Sequence, residues 1–498
     1  MVRLFKRQGK FNTLSKDNRK QLASSLQQNI QEVKYLFSYD LNKDFSMRSM
    51  KIKFNNKDGC LFYYSSIVDS SRINMHIIKP LLENNGDSVY NVVSIENIEE
   101  IKEYKKVIQN VNSGKVILFI EGEATSYAID VADFKHRAIF KAENEPSIKG
   151  PQDSFTESLN TNMSLIRKQL HNNQLINEGI QIGERSINEV NLVYIKDLVN
   201  DEILDKVRKK LTNISVDSVR NIEILEQYIE ERPYSIIPTV LYTEKPDKAT
   251  SYIEDGFIVL LMDSSSACLI VPVTFWSFFH SPEDRYLRFL YGNFTRVIRL
   301  FSFYLSLMIS ATFVAIANYH SEMIPPDLLL AITASRERVP FPLIFEVLIM
   351  EIAFELIREA GLRIPSPLGP TIGIVGALIL GQAAVEANII SPIIVIVAAL
   401  SGLSSFALAD LHLNFTVRMM RFVFILAAGA FGMLTLVGAF LLFFMYAASF
   451  KSFGVPFFSP MSPHFLSSED TVFRKAIKKE FFRPGYLHPK DIQKRFKS

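Results

Sequence analysis

Four stretches of this chain carry no Asp, Glu, Lys or Arg: 300–321, 364–385, 387–409 and 422–450. Each is near the ~20 residues a helix needs to cross ~30 Å of hydrocarbon. Four in succession argue against a soluble fold. Average composition hides this: the 498 residues are 21% charged and 48% hydrophobic, as in many soluble proteins. The reason is a long polar region before residue 290, where charges are frequent. The expected fold class is an α/β cytoplasmic region of two similar subdomains followed by an all-α transmembrane bundle.

Several function classes are disfavoured. A net charge of +3 is too small to argue for nucleic acid. The basic N-terminus, MVRLFKRQGKFNTLSKDNRK, lacks the apolar core of a secretory signal and reads as a solvated arm, with contact to anionic lipid as the alternative. Cys60 and Cys268, far apart in predicted strands, read as buried free thiols in a reducing compartment. The eight histidines show no ligand spacing, so no metal and no cofactor is expected. No nucleophile–base pair or phosphate loop appears, so an enzyme is not expected, although triads assemble only on folding.

Residues 1–55 read as a basic arm and a helix at roughly 18–37. Subdomain 1 spans 56–143: strand CLFYYSSIV (60–68), helical patterns near 73–84 and 96–110, then strands KVILFIEG (115–122) and TSYAIDV (125–131). Subdomain 2 spans 171–285: strand VNLVYIKDLV (190–199), helices at 201–210 and near 218–231, then two strands in 256–273. This is strand, helix, helix, hairpin, twice, at an offset of 130–140 residues. The connector between them, 144–170, turns at Glu145-Pro146 and at Gly150-Pro151, and a helix starts near Thr156, Glu157 and Ser158. It reads either as a fixed hinge or as a plain linker.

The transmembrane domain is placed at 290–450 and a basic tail at 451–498, with ten Lys or Arg against four Asp or Glu. Arg285, Arg288, Arg296 and Arg299 flank the first span, about 297–318, and put the N-terminal region in the cytoplasm. Arg418 and Arg421 precede the last span, and Asp410 and His412 close the one before it. Both ends inside require an even number of crossings. Segment 339–360 is apolar yet holds Glu346, Glu351, Glu355, Arg358 and Glu359, with Glu355 and Arg358 at i,i+3. A mid-bilayer charge costs at least ~2.5 kcal/mol. The stripe must therefore face protein, water or the interface. An interfacial or re-entrant helix with about four true crossings is the expectation, and a fifth span would put the tail outside. The loop 319–340, with Arg336 and Arg338, is a candidate to fold onto the bundle mouth.

In segment 367–392, Ile372, Val375, Ile379, Gln382 and Glu386 repeat at spacings of three and four and line one helix face. Gly369, Gly373, Gly376 and Gly381 lie elsewhere and permit close helix approach. The face suits a pore: Val375 and Ile379 as a dewetting gate, Glu386 as a cation-favouring ring. Simple packing, with Glu386 bonded to a neighbouring helix, is the alternative.

The run IPPDLLLAITASRERVPFPLIFEVLIMEIAFELIREAGLRIPSPLGPTIGIVGALILGQAAVEANIISPIIVIVAALSGLSSFALAD (324–410) resembles the A subunits of GerA-type spore germinant receptors. So do KGPQDSFTESLNTNMSLIRKQL, LYTEKPDKA and VPVTFWSFFHSPEDRYLR, and the resemblance runs from about residue 30 to the tail. It implies a multi-pass protein of the spore inner membrane, acting with a transporter-like B subunit and a lipoprotein C subunit to sense nutrients. It also implies a homo-oligomer, a pentamer, forming a cation channel, with the germinant bound chiefly by the B subunit. Lys149 and Gln152 depart from the family's Arg-Gly-Pro-Arg-Glu-like string, which puts any contact needing two arginines there in doubt. The alternatives are an accessory paralogue assisting spore ion or dipicolinic-acid release, and a secondary transporter, which would show an inverted repeat that 297–450 lacks.

Overall fold

Alternation in the first lobe sends Cys60, Phe62 and Tyr64 to one face of a strand and Leu61 to the other, and both faces are buried. The computed structural model describes residues 21–134, 145, 149–363, 369–465 and 470–494, with side chains described except at 362, 363, 369–375, 377 and 378. Lobe 1 holds β1 (Phe45–Lys51), β2 (Asp58–Tyr64), β3 (Ile98–Ile101), β4 (Lys115–Ile120) and β5 (Ser126–Asp130) in one antiparallel sheet of order β1-β2-β4-β5-β3. Helices α1 (Leu26–Leu36) and α2 (Tyr104–Asn112) cover one face through Val33, Val107 and Val111. Short helical turns over 70–92 cover the other through Ile73, Ile77 and Leu81.

After the connector, α3 (Leu159–Gln169) leads into lobe 2. Its sheet comprises β6 (Leu175–Ile182), β7 (Asn188–Ile195), β8 (Leu241–Thr243), β9 (Ile258–Met262) and β10 (Cys268–Val271), in the order β6-β7-β9-β10-β8. Helices α4 (Asp201–Thr212), α5 (Ile222–Ile229) and α6 (Pro246–Glu254) complete it. Strand for strand, this repeats the order of lobe 1. The sequence pattern therefore reflects two copies of one topology, and the structure differs from it in two places. Each lobe opens with a further strand, β1 or β6, and the helical pattern at 96–110 is strand β3 followed by α2.

The lobes are locked together. Arg167 on α3 lies over the Tyr64 ring at 3.6 Å and donates from Nε to Asp44 Oδ2 (2.6 Å) and from Nη2 to Asp44 Oδ1 (2.7 Å). Both partners are buried, and Asn42 Oδ1 accepts a further bond at 3.1 Å. A bidentate pair withdrawn from water holds one geometry, which makes the joint fixed.

The C-terminal part is helical: α7 (Phe289–Tyr319), α8 (Pro326–Arg336), α9 (Leu343–Arg363), α10 (Gly369–Glu386), α11 (Pro392–Phe406), α12 (Leu411–Phe431) and α13 (Met433–Ala448). Among the described residues α7 and α12 are long and apolar enough to cross a membrane, and α11 and α13 are shorter apolar helices. The charge-free stretch 422–450 is not one span. Gly432, at φ +65°, separates α12 from α13, and a Cβ there would come within 2.7 Å of Tyr319. Arg418 and Arg421 consequently lie inside α12, not ahead of a span, and Asp410 caps its start, accepting from Leu413 N at 2.8 Å.

The tail returns to lobe 2. Strands β11 (Lys451–Ser452) and β12 (Val455–Pro456) form a hairpin in which Ser452 Oγ donates to Thr239 O (2.7 Å) and accepts from Val273 N (3.0 Å). Lys490 Nζ reaches Asp201 at 2.7 Å and Lys494 Nζ reaches Asp255 at 2.6 Å. Lobe 2, the helices and the tail share one continuous apolar core.

Candidate functional site

Three groups of polar residues stand out, in the connector, at the start of α7 and within the helices. The first belongs to the connector. Glu145 Oε1 accepts from Lys248 Nζ (2.7 Å), and its Oε2 accepts from Glu244 N (3.1 Å) and the Thr243 hydroxyl. Burial pushes the Glu145 carboxyl up, but the Lys248 ammonium and these hydrogen bonds outweigh it and hold it below its ordinary value. Gly150 takes φ +118°, and a Cβ there would meet the Tyr286 ring at 2.5 Å. Pro151 is exposed beside it, and Glu157 gives its carbonyl to Ser264 N at 2.8 Å. Pro146 lies outside the described residues.

The second group surrounds the start of α7. Asp284 accepts from Arg296 Nε (3.0 Å) and from both terminal nitrogens of Arg299 (2.8 Å). Burial raises its carboxyl, and the two guanidinium groups outweigh that and pull it below the usual range. Asp470, also paired to Arg296, is held down to about 2 because His280, Arg296 and Arg285 override its burial. Arg285, Arg296 and Arg299, read as a simple basic flank, are thus engaged by carboxylates from the loop and the tail.

The third group lies within the helices. Glu351 and Arg421 are fully buried. Arg421 Nη1 donates to Glu351 Oε2 (2.7 Å), Nη2 to Ser306 Oγ (2.7 Å) and Nε to Ser306 O (2.8 Å). Ser310 Oγ donates to Glu351 Oε1 at 2.5 Å. Glu346, also buried, accepts from Arg336 Nε (3.3 Å) and from Ser391 N (3.0 Å), so the 319–340 segment does close onto the bundle. The expected i,i+3 pair is not formed. Glu355 instead takes Arg418 Nε at 2.8 and 3.1 Å, and Arg358 donates to Gly402 O (3.2 Å) and the Ser405 hydroxyl. Tertiary partners on α12 displaced the local one. The signal was present in the sequence, since Glu351 and Glu355 are one turn apart and so are Arg418 and Arg421.

On α10, Ile379 is 61% exposed, and Gln382 and Glu386 are exposed and joined by an Nε2–Oε1 bond of 2.9 Å. Gly381 on another face lies against α11 and α9, where a Cβ would sit 3.1 Å from Val395 and 3.9 Å from Met350. Ile372 and Val375 occupy α10, but their side chains lie outside the described residues. Cys60 and Cys268 are buried and unpaired. Among the described residues no group of three His, Cys, Asp or Glu could hold a metal.

The family model for the Bacillus/Clostridium GerA spore germination protein matches residues 31–486. Spore germination protein KA of Bacillus subtilis is 34% identical over 484 residues, covering 94% of this chain and 88% of that protein. An uncharacterized membrane protein of the same organism, YfkQ, is 32% identical, covering 85% and 84%. Among solved structures, the N-terminal domain of the A subunit of the Bacillus megaterium spore germinant receptor GerK3 matches at 24% identity and a TM-score of 0.40, over 52% of this chain and 98% of that one. With nearly the whole length matched, from lobe 1 to the tail, this chain belongs to the GerA spore germination protein family.

Proposed function

We propose that this chain is the membrane subunit of a spore nutrient-germinant receptor in which copies assemble, as a pentamer, around α10 to make a nutrient-gated cation pathway. It would work with a transporter-like B subunit and a lipoprotein C subunit. The observation that carries the reading is the outward face of α10. An isoleucine, an amide and a carboxylate at helical spacing are exposed on the single chain, while Gly381 turns inward. A carboxylate bordering an apolar helix needs water or protein beside it, and a ring of copies supplies both.

Topology supports a pathway through the bundle. The tail and the start of α7 both bind lobe 2, which puts residues 289 and 450 on one side. His412 and Thr416, at the start of α12, also meet lobe 2 at Glu226 and Ile236. The far ends of α7 and α12 meet where Tyr319 donates to Gly429 O at 2.7 Å. Glu346 near the start of α9 meets Ser391 at the start of α11, and Arg358 near the end of α9 meets the end of α11. These contacts give alternating directions to α7, α9, α10, α11, α12 and α13. The reading is six passes, with α9 embedded and its carboxylates Glu346, Glu355 and Glu351 neutralised by Arg336, Arg418 and Arg421, in place of four crossings and an interfacial helix. The lobes then face the cytoplasm of the spore.

Potassium efflux from proteoliposomes holding the chain with its B and C partners tests this. Glu386→Gln should lower nutrient-triggered efflux several-fold without lowering the amount of complex. Unchanged efflux would remove α10 from the pathway.

A further inference from the structure

Glu355 stands between two arginines. On α12, Arg418 grips it bidentately through Nε and Nη2. On its own helix, Arg358 lies one turn away, at the i,i+3 spacing that favours a carboxylate–guanidinium pair. Arg358 is committed elsewhere: to Gly402 O at 3.2 Å, to the Ser405 hydroxyl, and over the Phe406 ring at 4.4 Å. All three partners belong to the last turn of α11. In this seam Glu351 and Glu355 face Arg358, Arg418 and Arg421, two carboxylates against three guanidinium groups, and among the described residues no carboxylate lies within 4.0 Å of Arg358.

We propose that Glu355 exchanges partners, Arg418 for Arg358, and that this exchange is the two-state element linking lobe 2 to α10. With Glu355 on Arg418, α9 is tied to α12, and Arg358 is left to hold α11. With Glu355 on Arg358, α9 keeps the Glu351–Arg421 pair but loses the Glu355–Arg418 one, so its tie to α12 is weakened and the end of α11 is released. Each state satisfies the carboxylate, so the exchange need not leave Glu355 unpaired, the outcome that makes breaking a buried pair costly. Each end of the device is physically attached. His412 Nδ1 meets Glu226 of lobe 2 at 3.0 Å and Thr416 donates to Ile236 O, both within two turns of Arg418. At the other end, α10 is the next helix in the chain after α9. A shift of lobe 2 that draws on α12 would favour the second state, and the second state frees the helix that precedes the candidate pore face.

The proposal rests on the pathway reading for its consequence but not for its geometry, so its test reads geometry first. Spin labels attached at Leu356→Cys and Met419→Cys, both exposed positions, report the spacing of α9 and α12 in the full chain; Cys60 and Cys268 are buried. The expected result is one distance in the otherwise unchanged chain and a second, discrete distance in Arg418→Leu. That second distance should disappear when Arg358→Leu is added. The exchanged pair Glu355→Arg/Arg418→Glu should keep the first distance, because Arg at 355 cannot pair with Arg358. A broadened distribution in Arg418→Leu that is indifferent to Arg358 would mean simple loosening and would overturn the exchange. Potassium efflux is read in parallel. Basal efflux at least tenfold higher in Arg418→Leu, with the exchanged pair silent, is the expected outcome. Distances as expected with unaltered efflux would sink the pathway reading and leave the exchange standing.

Discussion

Replacing Arg167 with Met tests whether the two lobes are one rigid body. The methionine keeps most of the side-chain volume but strips Asp44 of both guanidinium bonds, at 2.6 and 2.7 Å, and removes the cation stacked over Tyr64. Asp44 is 5% exposed and would keep the Ser66 hydroxyl at 2.7 Å. Breaking a buried pair from one side costs about 3–5 kcal/mol because a charge is left uncompensated. At 1.4 kcal/mol per tenfold, opening of this joint should become roughly a hundred- to several thousand-fold more frequent. Hydrogen exchange of the α3 and β1 amides in the detergent-solubilised full chain reads this directly, with β9 as an internal reference. Arg167→Met/Asp44→Ala, which removes both charges, should recover most of the loss. Acceleration under tenfold in Arg167→Met, or no recovery in the double variant, would refute the argument that this pair fixes the lobes.

Two further outcomes follow from backbone and charge. Gly432→Ala forces a side chain into φ +65°, ψ −136°, a region open essentially to glycine, and within 2.7 Å of Tyr319. It should cost about 1–3 kcal/mol and lower the yield of folded chain in detergent gel filtration, whereas Gly438→Ala, where a Cβ meets nothing within 4 Å, should not. Glu230, at the end of α5, is pushed up from 4.5 to about 7 by burial and by the charge of Glu226. Folding therefore holds its proton, so the protonated site is the stabilised one. The stability it confers is complete below about pH 4.5, falls as pH rises through the interval, and is gone above about pH 7. Exchange of α5 amides should speed up across that window beyond the intrinsic rate. Glu230→Gln should flatten the response, and an unaltered slope in that variant would assign it to another group.

What the residues reveal on their own follows from which interactions are local. Charge-free runs announce long apolar helices because hydrocarbon thickness sets a length that composition must meet, and α7 and α12 meet it. The break at Gly432 is invisible in 422–450, since the run is apolar on both sides and only the Tyr319 ring gives the glycine its reason. The duplicated lobes are legible through their apolar strands β2, β4, β7 and β9, whose neighbours bury both faces. The strands that open each lobe, β1 with Arg48 and Lys51 and β6 with Asn177, Glu178 and Gln181, are edge strands whose mixed polarity gives no alternation to read. Charges inside α9 could be placed on a stripe, but their partners could not. Local spacing offers Arg358 to Glu355, and the fold brings Arg418 from 63 residues away. The connector's Gly150 turn is legible from its glycine–proline pair, whereas the Glu145–Lys248 bond depends on the placement of α6.

The pathway itself is most directly tested by placing single cysteines along α10 at Ile372, Val375, Ile379, Gln382 and Glu386 and at the intervening positions, then measuring modification by a membrane-impermeant thiol reagent in the assembled receptor. The account predicts fast modification repeating every three to four residues through these five positions, with 372 and 375 reached only after triggering. Uniform protection along the helix, resting and triggered, would contradict it.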